Sequence, residues 1–397
     1  INNARLVTIA TRICVRYECV PMRFIKHVYK IHTYAQDGRL FEGKTPVSAF
    51  LNSSYDGSFI AGLMELRYIQ SLPVERIINY FESHGFTLKK PTAHKLMEKA
   101  SSLFENLYKC IRQTALSDPY KAADETYYKI LVPEKNSKGK GVRKGYLWVV
   151  VGINTRMIYL LYDDGSRSEK VILNELGGCK GIIQSDGYSP YRKLESDAYP
   201  HITRIPCLQH IKRKFIDCGE DDPDAKRIVE MINTLYQNEH KHKIGVDGWT
   251  VEQNLVHRKK YAPDILGEIK DVLDDIEERG DLLPKSELKE AITYLRNEWN
   301  AVVDIFNYGD TYLDNNIVER MNRYISLSRK NSLFFGSHKG AERGAILYTI
   351  ALTCRMNKVN LFEYLTDVIN RTAEWQPNTP LEKYRLLLPD RWEKAND

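Results

Sequence analysis

The sequence predicts a mixed α/β fold whose sheet is interrupted by a long helical insertion. Three observations carry that expectation. Strand-like runs gather between about positions 118 and 206. From Ile211 to about Phe306 the chain turns charged and helical. A further helix, LDNNIVERMNRYISLSRKN, then resumes the α/β pattern. A chain of 397 residues also exceeds what one small core needs, so two or three folding units are expected.

Each element has its own signal. Tyr17 to Leu40 is rich in β-formers: RFIKHVYKIHTY alternates and reaches the turn signal Gln36-Asp37-Gly38, so a small β-hairpin is expected. A helix follows from near Pro46 through FIAGLMELRYIQ. Val74, Ile77, Ile78 and Phe81 then share one helical face, Ser83-His84-Gly85 breaks the helix, and a second helix starts near Pro91-Thr92. Two short helices across a glycine turn fit a DNA-binding helix-turn-helix, although any αα-hairpin leaves the same trace. From Lys121 the period changes. AADETYYKILV is strand-like, and GYLWVVVGIN with MIYLLYDDG reads as a hairpin turning at Asn154-Thr155. Ser168 to Leu176 suits a helix, GIIQSDGY a buried strand ending in a polar turn, and TRIPCLQH another short strand. Strand, strand, strand, helix, strand, helix, strand is the order of a ribonuclease H-like α/β domain.

Three acids stand out on this frame. Asp124 lies within a strand, where a buried acid is costly unless it is paired or binds a cation. Asp186 sits at the C-terminal end of a strand, where open α/β sheets build their sites. Glu319 lies on the later helix, flanked by Asn315, Asn316, Arg320 and Arg323. Brought together, three carboxylates repel one another unless cations sit between them. Two hard divalent ions, Mg2+ or Mn2+, about 4 Å apart suit such oxygen ligands and would activate a water or a 3′ hydroxyl against a phosphodiester. Singly, each acid has an ordinary reading: Asp186-Gly187 as a turn, Asp124 paired with a lysine, Glu319 paired with Arg323 one turn on. Their order on first strand, fourth strand and later helix gives the joint reading.

Charge downstream is lopsided. Positions 320 to 360 hold Arg320, Arg323, Arg329, Lys330, Lys339, Arg343, Arg355 and Lys358 against one acid, Glu342. With Phe334 and Phe335 among them, this stretch suits nucleic acid near a cleavage site, the alternative being a solvated basic face. PCLQHIKRKF adds Lys212, Arg213 and Lys214 beside a CxxH pair, Cys207 and His210. As metal ligands that pair would need two more partners, and none has finger-like spacing. A packing cysteine with a phosphate-contacting His210 is the expectation, and Cys14 and Cys19 are too isolated for a zinc site.

Composition sets outer bounds. The net charge of +6 and pI of about 8.7 are compatible with nucleic acid without demanding it. Seven cysteines without a CxxC pair do not read as a disulfide framework, which favours a reducing, cytoplasmic setting. The longest apolar runs, Tyr146 to Ile153 and Met157 to Tyr162, fall far short of the ~20 residues that span a bilayer, and no membrane role is expected.

The segments ADETYY, GYLWVVV, QSDGYSPYRKL, CLQHIKRKF, YLDNNIVERMNR, LSRKNSLFFGSHKGAERGAILYTI and FEYLTDVINR, in this order, resemble transposases of the insertion-sequence 66 family. The resemblance runs from about Tyr17 to Arg371. It implies a ribonuclease H-like core with a DDE triad of Asp124, Asp186 and Glu319, which would also hold the metal, and DNA as partner, both element ends and target. It also implies a homo-oligomer on DNA and leaves room for accessory proteins. The family's leucine zipper and cysteine-rich finger are not matched: KIHTYAQDG stands where closely spaced cysteines would be, so zinc is not expected and a truncated or diverged copy is conceivable. The expected units are a degenerate zinc-finger-like β region at 1–45 and a helix-turn-helix-like region at 46–117. The core follows at 118–216 and 306–350, split by the helical insertion at 217–305, with a helical tail at 351–397. The function so implied is metal-dependent cleavage and strand transfer of DNA ends. A related nuclease such as a junction resolvase, or an inactive DNA-binding remnant, are the alternatives.

Overall fold

In the computed structural model, residues 16–394 are described apart from 18–21, 45, 47, 51–52, 136–138, 140, 220 and 377. Cys14 and Cys19 lie outside the described residues. The expected N-terminal hairpin is present but short: β1 (Thr33–Gln36) pairs antiparallel with β2 (Arg39–Glu42). Asp37 and Gly38 both take positive φ, +50° and +73°, which a two-residue turn of this kind requires. Residues 22–32 are not strand, so the β-rich run forms pairs only at its end.

The first helix begins later than Pro46. α1 (Gly57–Met64) starts where the Asp56 carboxylate accepts the N–H groups of Ser58 and Phe59, and it runs on into a π-helical turn, Glu65–Ile69. α2 (Val74–Ser83) and α3 (Lys90–Leu103) form the expected helical pair across Gly85, whose φ is +80°. α4 (Glu105–Ser117) leads into the sheet.

That sheet contains β3 (Tyr120–Leu131), β4 (Val142–Gly152), β5 (Met157–Leu161), β6 (Gly181–Ser185) and β7 (Ile202–Pro206) in the spatial order β5-β4-β3-β6-β7. β3, β4 and β5 are antiparallel, with the β4–β5 turn where Asn154-Thr155 predicted it. β6 and β7 run parallel to β3. Parallel neighbours need crossovers. α5 (Glu169–Leu176) separates β5 from β6, and the short α6 (Ser189–Arg192) with a 3-10 turn separates β6 from β7. The edge strand β5 is closed by a helix: Leu160 N–H donates to the Thr349 hydroxyl, and the Thr353 hydroxyl donates to the Ile158 carbonyl.

After α7 (Leu208–Ile216) come α8 (Pro223–Glu239), α9 (Val251–Glu278) and α10 (Glu287–Ile305), and none of their residues joins the sheet. They bury their own core, with Ile228, Leu235, Leu273 and Ile292, which meets the sheet at Tyr120, Ile182 and Ile205. A second core joins α1 to α4, the sheet and the last helices: α11 (Asn316–Asn331), α12 (His338–Met356), α13 (Leu361–Thr372) and α14 (Leu381–Arg385). α12 runs unbroken through position 350, so the boundary expected there falls inside a helix. Among the described residues no helix is long and apolar enough to cross a membrane.

Candidate active site

The register of the sheet brings the two aspartates together. β3 pairs with β6 through Lys121–Ile183 and Ala122–Gln184. Asp124 lies two residues past the last β3–β6 pair and Asp186 one residue past β6, so both sit at the end of the parallel ladder. Asp186 follows β6 directly, and its carboxylate accepts the Tyr188 N–H at 3.1 Å. Burial pushes the Asp124 carboxyl up to about 8, with Glu125 and Asp186 adding repulsion. Glu125 is itself raised by burial, even though Arg167 holds it with a hydrogen bond of 3.0 Å.

α11 lies against this strand. Asn315, at its N-terminus, donates from Nδ2 to the Ala123 carbonyl at 3.0 Å. Asn322 donates from Nδ2 to Asp124 Oδ2 at 2.6 Å. Glu319 stands one helical turn before Asn322, on the same face. Its Oε1 is 3.8 Å from His210 Nε2 and has no hydrogen-bond partner among the described residues. The contacts therefore tie Asp124 to the helix that carries Glu319, but the Glu319 carboxylate faces His210, and among the described residues Asp124, Asp186 and Glu319 do not come within 4.8 Å of one another as a set.

The insertion supports the Asp186 loop from behind. Gly187 N–H donates to the Tyr294 hydroxyl of α10 at 2.9 Å, and a Cβ at 187 would lie 2.5 Å from that oxygen. The Asp-Gly pair is thus more than a turn: only glycine admits Tyr294. Fully buried Arg204 donates to the Asp186 carbonyl at 3.3 Å while pairing with Glu298 of α10 and with Glu195.

The basic residues separate into engaged and open ones. Arg329 is engaged: it bonds the Tyr127 carbonyl, and its guanidinium lies 3.9 Å from the centre of the Tyr127 ring. Arg343 pairs with Glu98, and Arg355 stacks on Tyr324 at 3.8 Å. Arg320, Arg323, Lys330, Arg213 and Lys214 are exposed, and Lys212 is part-buried near Tyr236. Phe335 corrects the expectation of two aromatics open to nucleic acid. It is buried, packs on Tyr128 at 4.3 Å and exchanges backbone hydrogen bonds with Lys129 and Leu131; Phe334 alone is exposed.

The sequence reading missed Asn315, Asn322, Glu125, Tyr294 and Arg204. Asn322 had a signal, since it sits three residues after Glu319 on one helical face. Asn315 stands one turn before Glu319 and Glu125 adjoins Asp124, whereas Tyr294 and Arg204 act from other elements and leave no periodic trace.

The model of the transposase IS66 family matches residues 52–343. The chain belongs to that family. Three relatives from Sinorhizobium fredii carry only the names of uncharacterized proteins. To y4jD the chain is 26% identical over 346 residues, 84% of this chain and 65% of that protein. To y4hP it is 24% identical over 420 aligned positions, 100% of this chain and 73% of the other, and to y4qI 26% identical over 384, 92% and 69%. This IS66-family chain therefore spans about two thirds to three quarters of the length of these relatives. Among solved structures, the Drosophila P element transposase strand transfer complex is similar at a TM-score of 0.38 and 13% identity, covering 76% of this chain and 93% of that one.

Proposed function

We propose that this transposase-family chain is a DDE enzyme on a ribonuclease H-like core, cutting DNA at element ends and transferring the freed strand to target DNA. The observation that carries the reading is that Asp124 on β3 feels the charge of Asp186, just past the parallel strand β6, and is held by Asn322 of the helix that bears Glu319. The donor set fits a hard divalent cation. It consists of carboxylate oxygens, it includes an acid raised by burial and by neighbouring acids, and Glu319 Oε1 is a buried acceptor without a donor. Asp124, Asp186 and Glu319 would hold Mg2+ or Mn2+, two ions in the reading favoured here, which supply nucleophile activation and charge neutralisation at the phosphodiester.

The chain's own groups position that set. Asn322 fixes Asp124 Oδ2, the Tyr188 N–H fixes Asp186, and Tyr294 and Arg204 hold the loop that carries Asp186. Exposed Arg320, Arg323, Lys330, Arg213 and Lys214 are placed to meet phosphates, which supply affinity without reading sequence. The α2–α3 pair is the proposed reader of element ends, and work on two ends and a target implies a homo-oligomer on DNA. Incubating the chain with labelled candidate ends and Mg2+ or Mn2+, then mapping products, tests the reading. Metal-dependent nicks and joined strands are expected. Binding without nicking would replace it with a non-catalytic DNA-binding role.

A further inference from the structure

We propose that Cys207, His210 and Glu319 form a second cation site, suited to a thiophilic dication of the zinc class, which shares Glu319 with the site proposed for catalysis. By sequence, Cys207 and His210 lack further ligands at useful spacing. The fold supplies one from α11, more than a hundred residues on. One ligand atom from each residue lies within 4.8 Å of the others.

Two helix starts build the cluster. Cys207 precedes α7 and His210 sits in its first turn, so both side chains share a face. Glu319 sits in the first turn of α11. Burial pushes the Cys207 thiol up to about 12, and backbone N–H groups at the two helix starts offset part of that, so a bound cation is what would draw off its proton. The Asn315 N–H already donates to Cys207 Sγ at 3.2 Å. The cluster is also chemically unfinished. His210 Nδ1 and Glu319 Oε1 are buried without hydrogen-bond partners among the described residues, and the His210–Glu319 separation of 3.8 Å is too long for a hydrogen bond. The 3.8 Å runs from His210 Nε2 to Glu319 Oε1, so a cation between those two atoms satisfies the orphaned carboxylate oxygen. Sulfur, imidazole and one carboxylate select zinc-class ions over magnesium, with a water or a DNA phosphate left for the fourth position. Coordination exchanges the thiol proton for the metal–sulfur bond and releases that proton to solvent.

The site would be an off-state. A zinc-class ion holding Glu319 denies that carboxylate to magnesium, so the two ions compete; this consequence rests on the catalytic reading, whereas the binding does not.

Cobalt(II) titration of the full chain under reducing conditions tests the binding by absorbance. One equivalent should give visible d–d bands and a thiolate charge-transfer band, both bleached by zinc. Cys207→Ser should remove the charge-transfer band and weaken binding by more than the ~10–100-fold that even outer partners of a metal site are worth. His210→Ala should weaken binding comparably, and Asp186→Asn should leave the spectrum unchanged. Circular dichroism of each variant, with the conservative Cys207→Ser as the primary one, separates ligand loss from misfolding. A charge-transfer band that survives Cys207→Ser in a folded protein, or no such band in the parent, overturns the proposal. Normal cobalt binding in a chain that never nicks DNA would instead overturn the catalytic reading alone.

Discussion

Two regions of this chain bury acids, and they do so in opposite ways. In the insertion, Glu239 meets Arg258, which is fully buried and has its donors used: Glu239 Oε2 at 3.0 Å, the Tyr308 carbonyl at 2.5 Å, and the Thr311 hydroxyl and carbonyl at 2.7 and 2.6 Å. Burial alone would raise Glu239, but Arg258 overrides it and holds the acid below its ordinary range. At the sheet, Asp124 has Glu125 and Asp186 as its strongest charged neighbours and is raised to about 8. An acid supplied with an arginine is part of the architecture. Asp124 makes no ion pair among the described residues, although Glu125 beside it is held by Arg167, and that unpaired carboxylate is the one proposed above to take a cation.

Breaking the contrast at the sheet should cost the most. Asp186→Asn keeps shape and removes charge. Losing several kcal/mol of charge stabilisation corresponds to roughly a thousandfold in rate, with DNA binding nearly intact. Nicking assays paired with filter binding check this, and near-normal cleavage would remove Asp186 from the site.

In the insertion the same kind of change should strike stability. Arg258→Met leaves Glu239 buried without its cation, and losing one partner of a buried pair costs about 3–5 kcal/mol. Urea denaturation reads it directly. The pair also fixes a pH window. Because Glu239 is held below its ordinary value of 4.5, its contribution is complete above that value and lost as pH falls through the lowered one. Glu239→Gln should therefore flatten the acid limb of stability below about pH 4.5 and leave the neutral limb parallel to the parent.

Much of the scaffold was legible in the sequence because strand period and turn chemistry are local. Alternation after Lys121, the Asn154-Thr155 turn and the glycine break at Gly85 all mark real elements. The strand positions of Asp124 and Asp186 were legible for the same reason, since one sits on β3 and the other just past β6. What stayed hidden depends on distant partners. Phe335 reads as an exposed aromatic among basic residues, yet it is bridged to β3. Arg329 reads as a free cation, yet it lies on Tyr127. Glu319 gave no sign that it would face His210 and Cys207.

A smaller effect tests how α11 sharpens the site. Asn322→Ala removes the 2.6 Å donor to Asp124 without touching charge. A partner of a metal-holding carboxylate is worth about 10–100-fold in metal affinity. The metal concentration for half-maximal nicking should rise by that factor, with a smaller change at saturation. An unchanged requirement would make Asn322 a packing residue.

The smallest effect separates open cations from engaged ones. Lys330→Ala should lower the salt slope of DNA binding by about one unit and leave folding untouched. Arg329→Ala should loosen β3 as well, because its guanidinium bonds the Tyr127 carbonyl. Equal effects on both slope and melting temperature would erase the distinction drawn here.

On the proposed function, Asp124 of β3 and Asp186 just past β6 take up divalent metal, whereas Glu239 of the insertion, paired with Arg258, does not. Electron paramagnetic resonance of free Mn2+ during titration of the full chain measures this most directly. Mn2+ uptake is expected of the parent and of Glu239→Gln, and its loss in Asp124→Asn and Asp186→Asn. Equal uptake by the parent and by folded Asp186→Asn would contradict it.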